Sequence, residues 1–75
     1  MTEVIVFVLR NYLVVEKHHI ELDREDFIIL PETLQSLIKH SGIRGKAFII
    51  FVKDRVYYAA KDGKDFRIVH LTAKE

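Results

Sequence analysis

Cysteine is absent from the 75-residue chain, which excludes a disulfide framework, a thiolate zinc site and a cysteine nucleophile. That absence fits a reducing, cytoplasmic compartment. Glycine is scarce at 3 residues and proline scarcer at 1, so the composition of a disordered chain is missing as well. No charge of one sign prevails: 12 Lys and Arg stand against 11 Asp and Glu, a net charge of +1, with the signs interspersed. Without a basic block, nucleic acid is not an expected partner. Nor is there a hydrophobic run of membrane length. The apolar opening Met1 to Leu9 contains Glu3, lacks a basic leader and stops at Arg10, far short of the roughly 20 residues a span requires. Neither a targeting segment nor a membrane association is expected.

What is present is apolar residue, at 49% of the chain. A chain this short forms one domain, residues 1–75, and buries only about 60% of the surface its unfolded form exposes, so its core must be dense. High Ile, Val, Lys and Glu usage without Cys is compatible with a thermophilic source. No linker, repeat or low-complexity segment interrupts the chain.

Hydrophobic periodicity orders the elements. Glu3 to Leu9 is a β-branched and aromatic run, and Tyr12 to Leu22 is a second, so the Arg10-Asn11 pair between them is expected to turn a hairpin. The charged segment Asp23 to Asp26 leaves the sheet, and Phe27 to Leu30 leads into Pro31. Proline suits a first helical turn, where its missing N–H would be unpaired anyway, and Glu32 complements the helix dipole. Leu30, Leu34, Leu37, Ile38 and Ser41 then fall on one stripe, with Gln35, Ser36 and Lys39 on the far side. Gly42 ends the helix in the left-handed conformation that glycine adopts without steric cost. Ala47 to Val52 is a strand, Lys53-Asp54-Arg55 a turn and Val56 to Ala60 a strand. Lys61-Asp62-Gly63 turns into the last strand, Phe66 to Leu71, before a polar tail, Thr72 to Glu75. The class is α+β, in the order β-β-α-β-β-β.

Three stretches carry a likeness: Thr33 to Ile43 with its Gly-Ile ending, Ala47 to Val56 with its turn, and Lys61 to Ile68. In that order, behind an opening hairpin, they resemble the β-grasp (ubiquitin-like) family, in particular the thiamine and molybdopterin sulfur carriers. The resemblance implies a mixed sheet covered on one face by one helix. It also implies a Gly-Gly terminus that threads into an adenylating enzyme. Here the sequence reads Ala73-Lys74-Glu75, whose side chains do not suit a narrow channel, so carrier chemistry would need an atypical C-terminus. No catalytic residue carries over, and no enzyme is expected.

In a sheet covered by one helix, strands should alternate apolar and polar residues. Val4 to Leu9 and Phe48 to Val52 do not, since both of their alternating sets are apolar. One face is therefore expected to stay bare, unless Phe27 to Leu30 folds over it. If Phe66 and Ile68 face the helix, then Arg67, Val69 and Leu71 face outward, with Tyr57 or Tyr58 beside them. An apolar patch flanked by Arg and Tyr is what interfaces use. Tyr57, Tyr58, Arg67, Val69 and Leu71 are the expected binding residues, and a protein partner or a homodimer is the expected occupant.

Other features carry less chemistry. His18 and His19 point to opposite faces of a strand and cannot chelate one metal, and His40 and His70 have no companion at ligand spacing. Thr33, Ser36, Ser41 and Thr72 lack an activating base. The acids Asp23, Glu25 and Asp26 lack the spacing of a calcium loop. Gly42 and Gly45 stand between helix and strand, the reverse of a phosphate-cradling loop. Neither a cofactor nor a metal site is expected. As an alternative, Phe27 to Ala60 resembles the swapped-hairpin transcription factors of the AbrB type, which implies DNA contacts from Arg24, Arg44, Lys46, Lys53 and Arg55.

Overall fold

The computed structural model describes residues 2–23 and 29–71, which form five strands and one helix. The strands are β1 (Thr2–Arg10), β2 (Leu13–Leu22), β3 (Ala47–Val52), β4 (Arg55–Asp62) and β5 (Asp65–Leu71), and the helix is α1 (Pro31–Ser41). They build one sheet in the order β2-β1-β3-β4-β5. No described helix is long and apolar enough to cross a membrane.

All four ladders are antiparallel, which corrects the expectation of a mixed sheet. The reason lies in the crossover. The chain leaves β2, passes through α1 and returns on the far side of β1. Strands β2 and β3 therefore run in the same direction, but β1 separates them and pairs with each in the opposite sense.

Two-fold alternation assigns the faces. Val4, Val6 and Val8 of β1, Phe48, Ile50 and Val52 of β3, and Tyr57 and Ala59 of β4 are buried on the helix side. Leu34 and Ile38 of α1 close over them, and Ile20, Leu22, Ile29, Leu37, Ile43, Phe66 and Ile68 complete the rim. Ile29 thus belongs to this core and not to a cover over the other face. Leu30 of that expected cover is the N-cap of α1 and exposed, while Phe27 and Ile28 lie outside the described residues.

Leu30 has no polar side chain with which to cap α1. The Thr33 hydroxyl does the work instead, accepting the Leu30 N–H and donating to the Leu30 carbonyl, both at 2.9 Å. At the other end Gly42 takes φ 79°, and His40 Nδ1 donates to the Ser36 carbonyl at 2.8 Å. Gln35 and Lys39, expected on the solvent side, instead fasten the helix to the sheet. Gln35 Oε1 accepts the Phe66 N–H at 3.1 Å, and Lys39 Nζ donates to Asp65 at 2.8 Å. Helical spacing alone does not show that a polar residue beside the stripe has a strand end within reach.

The turns differ from expectation by one residue. Arg10 pairs with Leu13, so the hairpin turns at Asn11 and Tyr12, with φ of 53° and 65°. Both values suit the primed turn that matches strand twist. Asparagine tolerates this region; holding tyrosine there costs about 1–2 kcal/mol. Beyond the turn Leu9 pairs with Val14 and Val8 with Glu16, so Val15 is the extra residue of a bulge. In the last hairpin β4 runs on to Asp62, and Gly63 and Lys64 make the turn.

Gly45 lets the loop before β3 lie against the sheet. A Cβ on it would stand 2.8 Å from Val8 Cγ1 and 3.0 Å from Phe48 Cε1, both on side chains held in the core. In urea unfolding, Gly45→Ala is expected to lose about 1–3 kcal/mol through overpacking. Tyr12→Gly is expected to gain about 1 kcal/mol by releasing the left-handed tyrosine.

Candidate functional site

The face of the sheet opposite α1 is built from the alternate residues of the same strands. Strand register arranges them in rows. Ile5, Phe51, Val56 and Leu71 lie in one row across β1, β3, β4 and β5, and Phe7, Ile49, Tyr58 and Val69 in the next. A third row holds Leu9, Ala47, Ala60 and Arg67. Strand β2 adds His19, Lys17 and Val14 to the three rows at its edge. The double apolar pattern of β1 and β3 is thus divided between core and open face.

No described residue of the helix packs on this side. Phe51 is 40% exposed, Val69 47% and Leu71 42%. The Phe7 and Phe51 rings meet edge to face on the diagonal between the first two rows, with centroids 5.6 Å apart and planes at 85°, a favourable aromatic geometry. Charges stand at the rim. Glu3 accepts from His19 Nε2 at 2.9 Å near the start of β1, and Arg67 stands near the start of β5.

The structure brings together four of the five expected binding residues: Tyr58, Arg67, Val69 and Leu71. Tyr57 is separated from them. It is buried to 5% exposure on the helix side, and its ring lies 5.0 Å from that of His70. The run Val56-Tyr57-Tyr58-Ala59-Ala60 has no polar member to fix its phase, so the choice between the two tyrosines was not legible. Ile5, Phe7, Leu9, Ile49, Phe51 and Val56 were missed as site residues. The unbroken apolar runs of β1 and β3 held the signal for five of them.

His18 and His19 do lie on opposite faces, each bound to a glutamate, Glu16 at 2.8 Å and Glu3 at 2.9 Å. Among the described residues no group of three His, Asp or Glu side chains gathers as a metal cage. The cations named for DNA contact are spread out. Arg44 and Lys46 precede β3 at one end of the sheet, Lys53 and Arg55 flank the β3–β4 turn at the other, and Arg24 lies outside the described residues. Comparison with protein-family models, with curated proteins and with solved structures finds no match in any of the three.

The two faces should respond differently to truncation. Tyr57→Ala is expected to cost about 3–5 kcal/mol in urea unfolding, as other buried aromatic deletions do. Val69→Ala, on the half-exposed face, is expected to stay within about 0.5 kcal/mol of the parent.

Proposed function

We propose that this protein is a non-enzymatic interaction module that binds through the open face of its sheet, and that the occupant is a second copy of the chain. The observation that carries the reading is the half-exposed row of Phe51, Val56 and Leu71 beside that of Phe7, Ile49, Tyr58 and Val69. Contiguous apolar surface of this kind is uncommon on proteins that act alone.

Size and charge favour a like partner. The molecule measures 34 × 33 × 21 Å; stacking a helix on a sheet accounts for the short axis, so the open face of the sheet lies on a broad side of the molecule. Such a side is broad enough for the roughly 800 Å² per partner that a stable interface buries. Its middle rows are uncharged apart from Lys17 at the β2 edge, so two copies can meet with little repulsion. A two-fold axis would place the same patch on both sides.

The β-β-α-β-β-β order and the single helix support a β-grasp-like domain, while the wholly antiparallel sheet departs from the mixed one that the likeness implies. The reading therefore rests on the open face and owes nothing to sulfur-carrier chemistry.

Sedimentation equilibrium of the chain and of a Val69→Glu, Leu71→Glu variant tests it. The parent is expected to be a dimer, and the variant a monomer with an unchanged circular dichroism spectrum. If both are monomers, pairing through this face is wrong.

A further inference from the structure

The long strand β1 ends at Arg10, and the loop that leads from α1 into β3 passes beside it. Between them lies an open groove of about 590 Å³, lined among others by Arg10, Tyr12, Glu16, Arg44, Lys46 and Tyr58. Three cations thus converge from two separate parts of the chain. Among the described residues none of the three has an acidic partner; the surface ion pairs in that set belong to His18, His19 and Lys39. Glu16, the one acid among the described lining residues, is turned to His18 at 2.8 Å.

The near-neutral total charge conceals this arrangement. Interspersed in sequence, Arg10, Arg44 and Lys46 become neighbours because β1 pairs with β3 and because Gly45, with no Cβ, sits close on Val8 and Phe48. The aromatic walls are equally distinctive. Tyr12 is 93% exposed while held at a positive φ of 65°. A bulky residue kept in a strained conformation with its ring in solvent points to a use for the ring. Tyr58 stands on the other side and belongs to the row of Phe7 and Val69, so the groove opens onto the aromatic part of the sheet face.

We propose that this groove binds single-stranded nucleic acid, its backbone phosphates held by Arg10, Arg44 and Lys46 and a base stacked on Tyr12. Unpaired cations with adjacent free rings are the chemistry by which unpaired bases and their phosphates are held together. A duplex hides its base faces and an acidic peptide has none, so either would leave Tyr12 without a partner. A free nucleotide shares the chemistry but offers a single base and a single phosphate position to three cations and two rings. The groove shares Leu9, Ala47 and Tyr58 with the open sheet face, but Arg10, Tyr12, Arg44 and Lys46 stand outside the rows proposed for pairing, and the inference does not depend on that pairing.

The test is fluorescence anisotropy of a fluorescein-labelled fifteen-residue oligothymidylate, titrated with the full chain between 25 and 200 mM NaCl. Each neutralised phosphate of a single strand contributes a log–log salt slope of about −0.7, so three contacts give a slope near −2. An Arg10→Ala, Arg44→Ala, Lys46→Ala variant is expected to flatten that slope and bind at least tenfold more weakly at 25 mM, with circular dichroism unchanged. Lys53→Ala with Arg55→Ala, at the opposite end of the sheet, should leave binding unaltered.

Tyr12→Gly separates the site from the fold. It should be the more stable protein and yet bind the strand about fivefold or more weakly, with the slope unchanged. The proposal is overturned if no saturable binding occurs at 25 mM NaCl, or if the triple variant binds as the parent does. It is also overturned if polyglutamate displaces the oligonucleotide at equal charge concentration, which would mark a site for acidic protein, or if thymidine monophosphate binds as tightly as the strand.

Discussion

Among the described residues one helix has to serve a five-stranded sheet. Five strands at their usual spacing are about 19 Å across, whereas a helix of eleven residues is about 16 Å long and 10 Å wide. It can seal one face and no more. Leu34 and Ile38 meet Val4, Val6, Phe48 and Ile50 on that side, and these near-zero exposures mark where the hydrophobic stabilisation is concentrated. Everything else follows from the mismatch. The apolar residues that β1 and β3 carry on their second face have no cover among the described residues, and the polar residues of α1 must reach sideways to hold the sheet at its β5 edge.

The details around the sheet ends serve the same packing. The bulge at Val15 restores the phase of β2, so that Ile20 and Leu22 reach the core while Lys17 and His19 face away. Without the extra residue, a one-position slip would exchange the two sets. Gly45 performs a related task on the other side of β1. It lets the chain descend onto Val8 before β3 begins, which draws charged neighbours toward a strand they would otherwise clear.

Much of this was legible in the sequence, for reasons that can be named. Pro31 and Gly42 bracket the helix because each matches a conformation that the helix ends require. The two runs with doubled apolar sets announced an open face, because no single helix can cover both sides. Other features depended on contacts between distant residues. Nothing local states that β1 lies between β2 and β3, so the sense of the sheet was not readable. Tyr57 and Tyr58 are chemically identical neighbours whose facing is decided by the β3–β4 turn. The turn at Asn11 and Tyr12 was displaced in the reading because tyrosine seldom accepts a positive φ. Arg44 and Lys46 stood among interspersed charges and Arg10 read only as a turn residue, and it is the pairing of β1 with β3 that collects them.

That pairing also divides the molecule in time. The hairpin of β1 and β2 and the meander of β3, β4 and β5 each close through short turns, whereas the ladder between β1 and β3 joins Val4 to Val52 and Leu9 to Ala47. Such distant contacts bear the largest loop-closure entropy and form late. The domain is accordingly two local pieces joined along one seam, with the helix lying in the connection between them. The groove straddles the seam, since Arg10 comes from one piece and Lys46 from the other. It exists only once the seam has closed, and any molecule seated in it acts as a clasp whose binding free energy is added to the stability of the last contact to form.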